Sequence, residues 1–299
     1  MLTIGSRGSK LALWQANWVK ARLEELGHEC RLEIITTSGD KFQSGPLKDV
    51  GNKGLFTKEI EEALLEGRVD LAVHSLKDMP TALPPGLQIA ATPEREDPRD
   101  AIIGSTLTGL KKGASIGTGS LRRVAQLRAY RADLRLEPVR GNVDTRLRKL
   151  DEKQFDAIVL AVSGLKRLGW EGRIAERIPV DIMCPAVGQG SLAIETRNSG
   201  TAVDIVAKLN HAATNAAVSA ERAVLAKLGG GCQVPVGGHA TVENGRMHIR
   251  GVVSTTDGTR LIRDEIAGES AEAIRLGTEL GERLLGAGAH EILAAVYGK

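Results

Sequence analysis

Residues 69–80 read VDLAVHSLKDMP, and this stretch decides the fold class of the chain. Val69 to Ser75 form a nearly continuous apolar run, which is typical of a strand buried on both faces of a sheet. Polar residues follow from His74 to Pro80, at the strand end where open α/β sheets bind ligands. The stretch therefore predicts an α/β fold and makes Asp78 a candidate for proton transfer or for stabilising a developing cation. A turn-forming aspartate is an equally common reason for this pattern.

Strands and helices alternate on both sides of this stretch. The β-branched runs RLEIITT (Arg31–Thr37) and DAIVLAV (Asp156–Val162) are two more predicted strands. Helical spacing of apolar residues predicts two helices, one over residues 55–66 and one through Leu11, Trp14 and Trp18. Alternation of this kind favours an α/β architecture with largely parallel sheets. No internal sequence repeat is evident.

The pattern changes after about residue 210. A predicted helix over Thr214–Leu228 precedes two hairpin-like segments, at Asn244-Gly245 and Asp257-Gly258, and a long helical region follows. Asn-Gly and Asp-Gly supply the positive φ angles that tight hairpins need. This part of the chain is predicted to be a separate small α+β domain. The charged, proline-bearing stretch 93–100 and residues 185–190 are predicted crossovers between domains.

Composition bounds the class of protein. The 299 residues are 42% hydrophobic, 26% charged and 3% aromatic, which is typical of a folded protein of two or three domains. The net charge of +3 is compatible with an anionic ligand, but no run of like charges indicates a nucleic-acid-binding tail. No apolar stretch reaches the roughly 20 residues that cross a bilayer. The N-terminal residues lack the apolar core of a signal peptide, so we expect a cytoplasmic protein.

The three cysteines, Cys30, Cys184 and Cys232, are widely spaced and odd in number, which argues against a disulfide framework. No histidine or cysteine cluster indicates a metal site. Cys232 lies in GGGCQVP (229–235), where three glycines predict an accessible loop after a helix. A thiolate there is a candidate nucleophile or carrier of a covalent group. A small buried side chain is the equally weighted alternative.

Basic residues recur beside glycine turns. In GTGSLRR (117–123), Ser120 is a candidate N-cap, and free backbone amides of the first helical turn join the guanidinium groups of Arg122 and Arg123. Arginine in a first turn opposes the helix dipole, so an anion-binding site is favoured here over a solvated surface. Residues 37–54, rich in Gly, Lys, Asp and Ser, are predicted to form a lid or functional loop. Further basic residues at predicted loop–helix junctions suggest a cleft lined for a polyanion: Arg7, Lys53, Arg140, Arg146 and Arg167.

Taken together, these segments closely resemble the porphobilinogen deaminase family along nearly the whole chain. Two positions depart from the family pattern, because Gly119 stands where a serine is common and Asp144 stands where a glycine is common. Gly119 removes one hydroxyl ligand, and Asp144 puts an anion close to Arg146. Neither change touches Cys232 or Asp78. The resemblance rests on ordered motifs: SRGSKLALWQA, GNKGLFTKEIE, VDLAVHSLKDMP, EREDPRDA, GTGSLRR, VRGNVDTRL, LAVSGLKRLG, PAVGQG, ERAVLAKLGGGCQVPVG and EILAAVY.

The resemblance implies an α/β chain of three domains. Domains 1 and 2 are expected to be similar to the two lobes of type II periplasmic binding proteins, and domain 3 to be a small α+β domain that carries the cysteine loop. The expected bounds are 1–95 with 191–209 for domain 1, 96–190 for domain 2 and 210–299 for domain 3. The resemblance also implies a dipyrromethane cofactor, formed from two substrate molecules and bound to Cys232 through a thioether.

The activity that the resemblance implies is a transferase reaction of tetrapyrrole biosynthesis. Four porphobilinogen molecules condense head to tail with loss of ammonia, and water then releases hydroxymethylbilane from the primer. Asp78 matches the family's catalytic aspartate, whose carboxylate stabilises positive charge on the reacting pyrroles and handles protons. Phe56 is expected either to stack on a pyrrole ring or to pack beneath the lid. The resemblance maps two further sets onto positions that bind carboxylates or support catalysis: Arg7, Lys77, Arg122, Arg123, Arg140, Arg146 and Arg167, joined by Ser9, Lys53, Ser75, Thr118, Ser120 and Gln189.

Two other functions fit parts of the sequence. A solute-binding protein would use a two-lobed fold to clamp a small polyanion without chemistry, but the missing export signal and the glycine-flanked Cys232 argue against it. A nucleic-acid-binding role is weaker because aromatic content is low and the basic residues form no single stripe. The expected partner is therefore the small molecule porphobilinogen, without nucleic acid, membrane or metal, and the chain is expected to be a monomer.

Overall fold

A computed structural model describes residues 1–41, 56–229 and 234–297. The chain forms two compact units, Met1–Arg95 with Ser191–Asn215 and Glu96–Gly190 with Ala216–Lys299. The chain passes from one unit to the other after residues 95 and 190. Two of the expected domain boundaries lie at the same positions. The division into three domains with the bounds given above stays a prediction. Within the described ranges, no helix is long and apolar enough to cross a bilayer.

The elements follow one another in a β–α order through most of the first two-thirds of the chain. In chain order they are β1 (Leu2–Ser6), α1 (Lys10–Glu25), β2 (Cys30–Ile34), α2 (Ser38–Lys41), α3 (Lys58–Leu65), β3 (Leu71–Ser75), β4 (Leu87–Ala91), β5 (Asp100–Ile103), β6 (Ser115–Gly117), α4 (Leu121–Tyr130), β7 (Arg135–Glu137), α5 (Val143–Asp151), β8 (Ala157–Ala161), α6 (Val162–Arg167), β9 (Glu176–Arg177), β10 (Leu192–Arg197), α7 (Thr201–Ala207), α8 (Ala212–Lys227), β11 (Val236–Glu243), β12 (Arg246–Ser254), β13 (Leu261–Glu269), α9 (Ala273–Leu284) and α10 (His290–Tyr297).

The first unit is built on a five-stranded sheet in the order β2-β1-β3-β10-β4. β1 runs parallel to β2 and β3, whereas β10 runs antiparallel to both β3 and β4. The α/β class is confirmed, but the expectation of a largely parallel sheet is wrong for β10. Parallel neighbours need a crossover connection, whereas β10 joins this sheet only after the chain has formed β5 to β9 in the second unit.

The second unit contains a sheet with the same arrangement. Its order is β7-β6-β8-β5-β9, with β6 parallel to β7 and β8 and with β5 antiparallel to β8 and β9. β5 therefore takes the place in this sheet that β10 takes in the first. The two sheets form a structural repeat that the sequence does not reveal, because strand order depends on contacts between residues far apart in the chain.

The C-terminal part of the second unit is an antiparallel sheet in the order β11-β12-β13, accompanied by helices. The β11–β12 turn has positive φ angles at both Asn244 (50°) and Gly245 (78°), which confirms the predicted Asn-Gly hairpin. Side chains from these strands pack with α8, α9 and α10 around buried residues such as Ile249, Leu276 and Leu280. The predicted small α+β fold of this region is confirmed.

Helix α1 shows where the sequence pattern fails. It begins after Ser9, whose hydroxyl accepts a hydrogen bond from the backbone N–H of Ala12 at 3.3 Å. Its buried residues include Ala16, Val19 and Leu23, which contribute to the core of the first unit. Trp14 is instead 38% exposed. The helix was predicted correctly, but only part of the stripe that predicted it is buried, because Trp18 packs against the core whereas Trp14 is exposed.

Candidate functional site

The stretch after β3 presents Asp78 at the surface. Leu76–Asp78 form one turn of 3-10 helix, held by buried Leu76, whose backbone N–H donates to the carbonyl of Ser191 at 3.0 Å. Ser75 accepts a hydrogen bond on Oγ from Gln15 Nε2 at 2.8 Å. The Asp78 carboxylate is exposed and has no hydrogen-bond or ion-pair partner among the described residues. The structure therefore fixes the backbone of this turn and leaves the carboxylate available for a ligand.

Arg7 lies directly after β1 in the same unit. Its guanidinium carbon is 4.3 Å from the centroid of the Phe56 ring, within the range of a cation–π interaction. Arg7 Nε donates to Asp40 Oδ1 at 3.1 Å, and a second nitrogen of the guanidinium is bonded to the same carboxylate. Burial of Asp40 raises its pKa, but hydrogen bonds from Arg7 and Thr37 outweigh burial and lower the pKa overall. Arg7 thus holds a carboxylate of the protein itself, and its binding of a ligand carboxylate stays a prediction.

The second unit buries Asp100, at the start of β5, between two guanidinium groups. Arg122 Nη1 donates to Asp100 Oδ2 at 2.8 Å, and Arg123 Nη2 donates to Asp100 Oδ1 at 2.7 Å. The guanidiniums also donate to backbone carbonyls, Arg122 to Cys184 O at 2.7 Å and Arg123 to Val159 O at 2.9 Å. All three charged residues are at most 5% exposed. The two arginines therefore do not lie on a solvated helix face.

The Asp100 cluster carries an excess of positive charge. Burial raises the pKa of Asp100, but the positive charges of Arg122 and Arg123 outweigh burial and hold it far below its usual value. Two guanidiniums and one ionised carboxylate sum to one positive charge. Arg122 Nε and Nη2 donate no hydrogen bond to a described residue. A buried guanidinium with donors left over is suited to an anionic ligand.

Gln189 also contacts this cluster. It lies near the end of segment 96–190, whereas Asp100 lies near its start. Its Nε2 donates to Asp100 Oδ1 at 2.9 Å and to Pro98 O at 2.7 Å. Arg167 Nη2 donates to Gly190 O at 2.6 Å. Burial lowers the pKa of Arg167 to about 10, so this guanidinium remains charged at neutral pH. Only glycine fits at 190, because φ is 93° and an added Cβ would collide with the carbonyl oxygen of Glu96.

The remaining candidates of the second unit lie at two glycine turns. Ser120 is the N-cap residue of α4 as predicted, but its side chain makes no capping hydrogen bond. The backbone N–H of Ser120 donates instead to Thr118 Oγ1 at 3.3 Å. Arg146 Nε donates to Gly141 O at 2.8 Å, and Arg140, directly before that glycine, is exposed. These contacts do not show whether the four side chains bind a ligand. Their assignment to a ligand site therefore stays a prediction.

Two of the predicted site residues, Lys53 and Cys232, lie outside the described residues. The other two cysteines are both buried. Burial raises the pKa of Cys30, and it raises the pKa of Cys184 to about 12. Neither is a thiolate at neutral pH, and thiolates are the reactive form of cysteine. Among the described residues, no group of His, Cys, Asp and Glu is arranged to hold a metal ion.

Sequence reasoning missed two buried carboxylates of this region. Asp100 ends the stretch EREDPRD, which was interpreted only as a crossover. Glu221, in α8, is fully buried and accepts hydrogen bonds from the backbone N–H groups of Gly188 and Ala240, both at 2.7 Å. It thereby ties α8 and β11 to the turn that carries Gln189. A charged residue inside an otherwise apolar helix pattern was the available signal.

Replacing the arginine pair tests whether it binds a ligand. The variant Arg122→Gln/Arg123→Gln/Asp100→Asn removes the pair without leaving a buried unpaired charge, which would itself destabilise the fold. For the reaction that the resemblance implies, we expect primer assembly or chain elongation to slow by about ten- to a hundredfold, because each charge-assisted hydrogen bond contributes roughly 1.5–3 kcal/mol. Intact mass and steady-state kinetics measure these two steps.

The matched control is Arg128→Gln, an exposed arginine of the same helix that donates to Thr256 O. It is expected to keep both steps at the rate of the unchanged protein. If the triple variant assembles its primer and turns over as fast as this control, the arginine pair is not part of the site.

The first unit thus has an exposed carboxylate, Asp78, and an arginine, Arg7, stacked on Phe56. The second unit has a buried arginine pair whose single carboxylate partner leaves one net positive charge. Together with the two mixed sheets, these features define an α/β protein whose buried arginine pair is suited to an anionic ligand. Comparison with known sequences gives the family. Two family models match: "Porphobilinogen deaminase, dipyromethane cofactor binding domain" over residues 2–204, and "Porphobilinogen deaminase, C-terminal domain" over residues 215–286. The chain belongs to the porphobilinogen deaminase family.

Curated relatives match over nearly the whole chain. The porphobilinogen deaminase of Trichlorobacter lovleyi is 50% identical over 301 residues, covering 99% of this chain and 96% of the relative. The porphobilinogen deaminase of Syntrophotalea carbinolica is 51% identical over 301 residues, with the same coverage of 99% and 96%. Among solved structures, a periplasmic substrate-binding protein of an ABC transporter from Coxiella burnetii is similar with a TM-score of 0.43 and 12% identity, over 70% of this chain and 91% of that chain.

Proposed function

We propose that this chain condenses four porphobilinogen molecules head to tail, with loss of ammonia, and releases hydroxymethylbilane by hydrolysis. The growing product is proposed to be held on a dipyrromethane primer attached to Cys232. The observation that carries the proposal is the buried Asp100 cluster, in which two guanidiniums share one carboxylate. Every pyrrole of such a chain bears two carboxylates, so a growing product needs buried positive charge that the protein has not already neutralised.

The described residues fit a dipyrromethane. Arg122 keeps donors that no described residue uses, and Gln189 and Asp100 hold the pair in one orientation. Arg167, charged and largely buried, is a further candidate for a carboxylate. When bound, the dipyrromethane supplies the pyrrole carbon to which the next unit is joined. These arginines would bind its carboxylates, as their planar forks favour.

Asp78 is proposed to act on the chemistry. In each addition one carbon–nitrogen bond of the substrate breaks, one carbon–carbon bond forms, ammonia leaves and one proton is released. Positive charge develops on the pyrrole nitrogens during these steps, and a carboxylate beside them stabilises that charge and receives protons. Asp78 is exposed, free of described partners and held on a fixed turn, so its carboxylate can take this position without breaking an internal ion pair.

Cys232 is proposed as the attachment point because the other two thiols are unsuited to it. Cys30 and Cys184 are buried and their pKa values are raised. Cys232 is flanked by three glycines in the sequence, which favour an accessible backbone. Accessible thiols with normal or lowered pKa form covalent bonds most readily.

The first unit is proposed to bind the incoming substrate. Arg7 would exchange the Asp40 carboxylate for that of a pyrrole, with the Phe56 ring beneath its guanidinium. Lys53, Ser75 and Lys77 are proposed to support the same pyrrole, and Ser9 to orient Arg7 through its cap on α1. Thr118, Ser120, Arg140 and Arg146 are proposed to bind carboxylates of the chain as it grows. We further propose that the protein acts as a cytoplasmic monomer.

Incubation with porphobilinogen tests the proposal. We expect ammonia release and a product that oxidises to porphyrin, in a ratio of four ammonia molecules to one tetrapyrrole. The alternative, a protein that clamps a small polyanion without chemistry, would bind porphobilinogen and release no ammonia. Binding without ammonia release from freshly purified protein, even after long incubation to allow primer assembly, would contradict the proposed activity.

A further inference from the structure

Three titratable side chains are buried together in the first unit, on the face of the sheet that packs against α3. They are Glu61 in α3, His74 in β3 and Glu195 in β10, with exposed fractions of 7%, 6% and 0%. In the antiparallel register of β3 and β10, His74 lies opposite Ala193 and Ala72 lies opposite Glu195. His74 and Glu195 therefore point to the same face, away from Ser75.

The hydrogen bonds within this cluster are incomplete. His74 Nε2 lies 3.0 Å from Glu195 Oε2. Three other buried oxygens have no hydrogen-bond partner among the described residues: Glu61 Oε1, Glu195 Oε1 and Thr57 Oγ1. Such atoms are rare in folded proteins, and each one asks for an explanation. A proton held by a carboxyl group turns one of these acceptors into a donor, which can then serve another of them.

The basic residues of α3 and β10 do not balance the charge of Glu61. On α3, Lys58 is exposed and lies 3.8 Å from Glu62, while Glu59 accepts hydrogen bonds from Ser38. On β10, Arg197 donates to two carbonyls, Leu64 O at 2.5 Å and Val69 O at 2.8 Å, and lies 3.5 Å from Asp70. Glu61 and Glu195 therefore have one imidazole, that of His74, in their neighbourhood.

The surroundings of the cluster are apolar, since Ile60, Ala63, Leu64 and Ala72 are fully buried beside it. Charged carboxylates are disfavoured in such an environment. Burial raises the pKa of Glu61 above its usual value; the nearby Thr57 hydroxyl and His74 lower it, the negative charge of Glu195 raises it, and the net effect is a raised pKa.

We propose that Glu61, His74 and Glu195 form a positioning cluster in which Glu61 carries a proton, and that this proton keeps α3 packed against β3 in the geometry that the proposed reaction requires. The three side chains are buried and are proposed to act without touching substrate or primer. The inference rests on the proposed function for its effect on turnover, whereas its effect on stability is independent of any activity.

The cluster lies between the two parts of the first unit that are proposed to act on substrate. α3 begins at Lys58, two residues after Phe56, whose ring lies under Arg7. β3 ends at Ser75, three residues before Asp78. If Glu61 loses its proton, two carboxylates compete for His74, and the first turn of α3 must shift to let water reach Glu61. That shift would displace Phe56 relative to Asp78.

The pH dependence of the free energy of unfolding tests directly whether Glu61 carries a proton. Because the pKa of Glu61 is raised in the folded protein, its contribution is fully favourable below the unfolded value of 4.5 and is lost as pH rises through the folded value. Glu61→Gln keeps the neutral form at every pH. We expect the free energy of unfolding of this variant to fall less with rising pH than that of the unchanged protein. The control Glu62→Gln, at the exposed neighbouring position, should keep the original pH dependence.

Turnover of the primed enzyme gives the second readout. In the unchanged protein and in Glu62→Gln, kcat should fall on the alkaline side by about tenfold per pH unit, the slope of a single essential proton. In Glu61→Gln, this decrease of kcat at alkaline pH should be absent, and the KM for porphobilinogen should be unchanged.

Each readout has an outcome that overturns the inference. Identical pH dependence of unfolding in Glu61→Gln and the unchanged protein would show that Glu61 holds no proton, and an unchanged alkaline limb would show that the proton does not serve catalysis. If the unchanged protein released no ammonia from porphobilinogen, the proposed function would fail, and the unfolding experiment alone would decide the inference.

Discussion

Replacing Cys232 by alanine is expected to abolish both primer attachment and turnover. The protein would then have no thiol to form the thioether, because Cys30 and Cys184 are buried and their raised pKa values keep them protonated. Turnover should fall to the background of the assay. Intact mass after incubation with porphobilinogen and the rate of ammonia release measure the two effects.

The control for this experiment is Cys30→Ala, which removes a buried thiol at the edge of the first unit's core. It should cost modest stability and leave primer and turnover intact. A covalent pyrrole adduct on Cys232→Ala at the level of the unchanged protein would refute the attachment site while leaving the family assignment untouched.

Replacing Asp78 by asparagine is expected to lower kcat by about 10²–10⁴-fold, the range seen when a group for proton transfer or charge stabilisation is removed. Asparagine matches the carboxylate in shape, but it carries no negative charge and accepts no proton. The variant should fold normally, because the Asp78 carboxylate is exposed and has no described partner to lose. It should keep its KM within a few-fold, since Asp78 is proposed to act on the transition state.

Asp70→Asn provides the contrast, because it changes an aspartate of the same sequence stretch. The Asp70 carboxylate accepts a hydrogen bond from the backbone N–H of Thr3 at 2.8 Å and thus has a structural role. This variant should lose stability and keep kcat. Near-normal kcat in Asp78→Asn would remove Asp78 from the chemistry, whatever the behaviour of Asp70→Asn.

Much of the fold follows from local sequence pattern. The apolar run after Val69 became β3, the run in 156–162 became β8, and Asn244-Gly245 became a tight hairpin. Each depends on residues that are neighbours in the chain. The antiparallel entry of β10 and the repeat of strand order in the two sheets depend on where the returning chain packs, and no local pattern encodes that. The exposed Trp14 shows the same limit, since helical spacing gives a stripe but not the side that becomes buried.

The candidate site divides in a similar way. Asp78, Arg122 and Arg123 were predicted from the sequence because glycine turns and strand ends mark places where ligands bind. Asp100 was missed because its partners stand 22, 23 and 89 positions away in the sequence. The buried proton proposed for Glu61 was missed for the same reason, since a glutamate in an amphipathic helix is usually exposed. Burial of a charge is decided by tertiary packing and is visible only in the folded chain.

The central claim is that the chain builds a tetrapyrrole on a primer fixed to Cys232, and intact mass measures it most directly. The denatured protein, weighed after incubation with porphobilinogen and digested to locate any adduct, should carry two linked pyrrole units on the peptide that contains Cys232. Heavier species, each with one more pyrrole, should appear when substrate is supplied in limiting amounts. An unmodified mass after incubation, or an adduct mapped to Cys30 or Cys184, would contradict the claim.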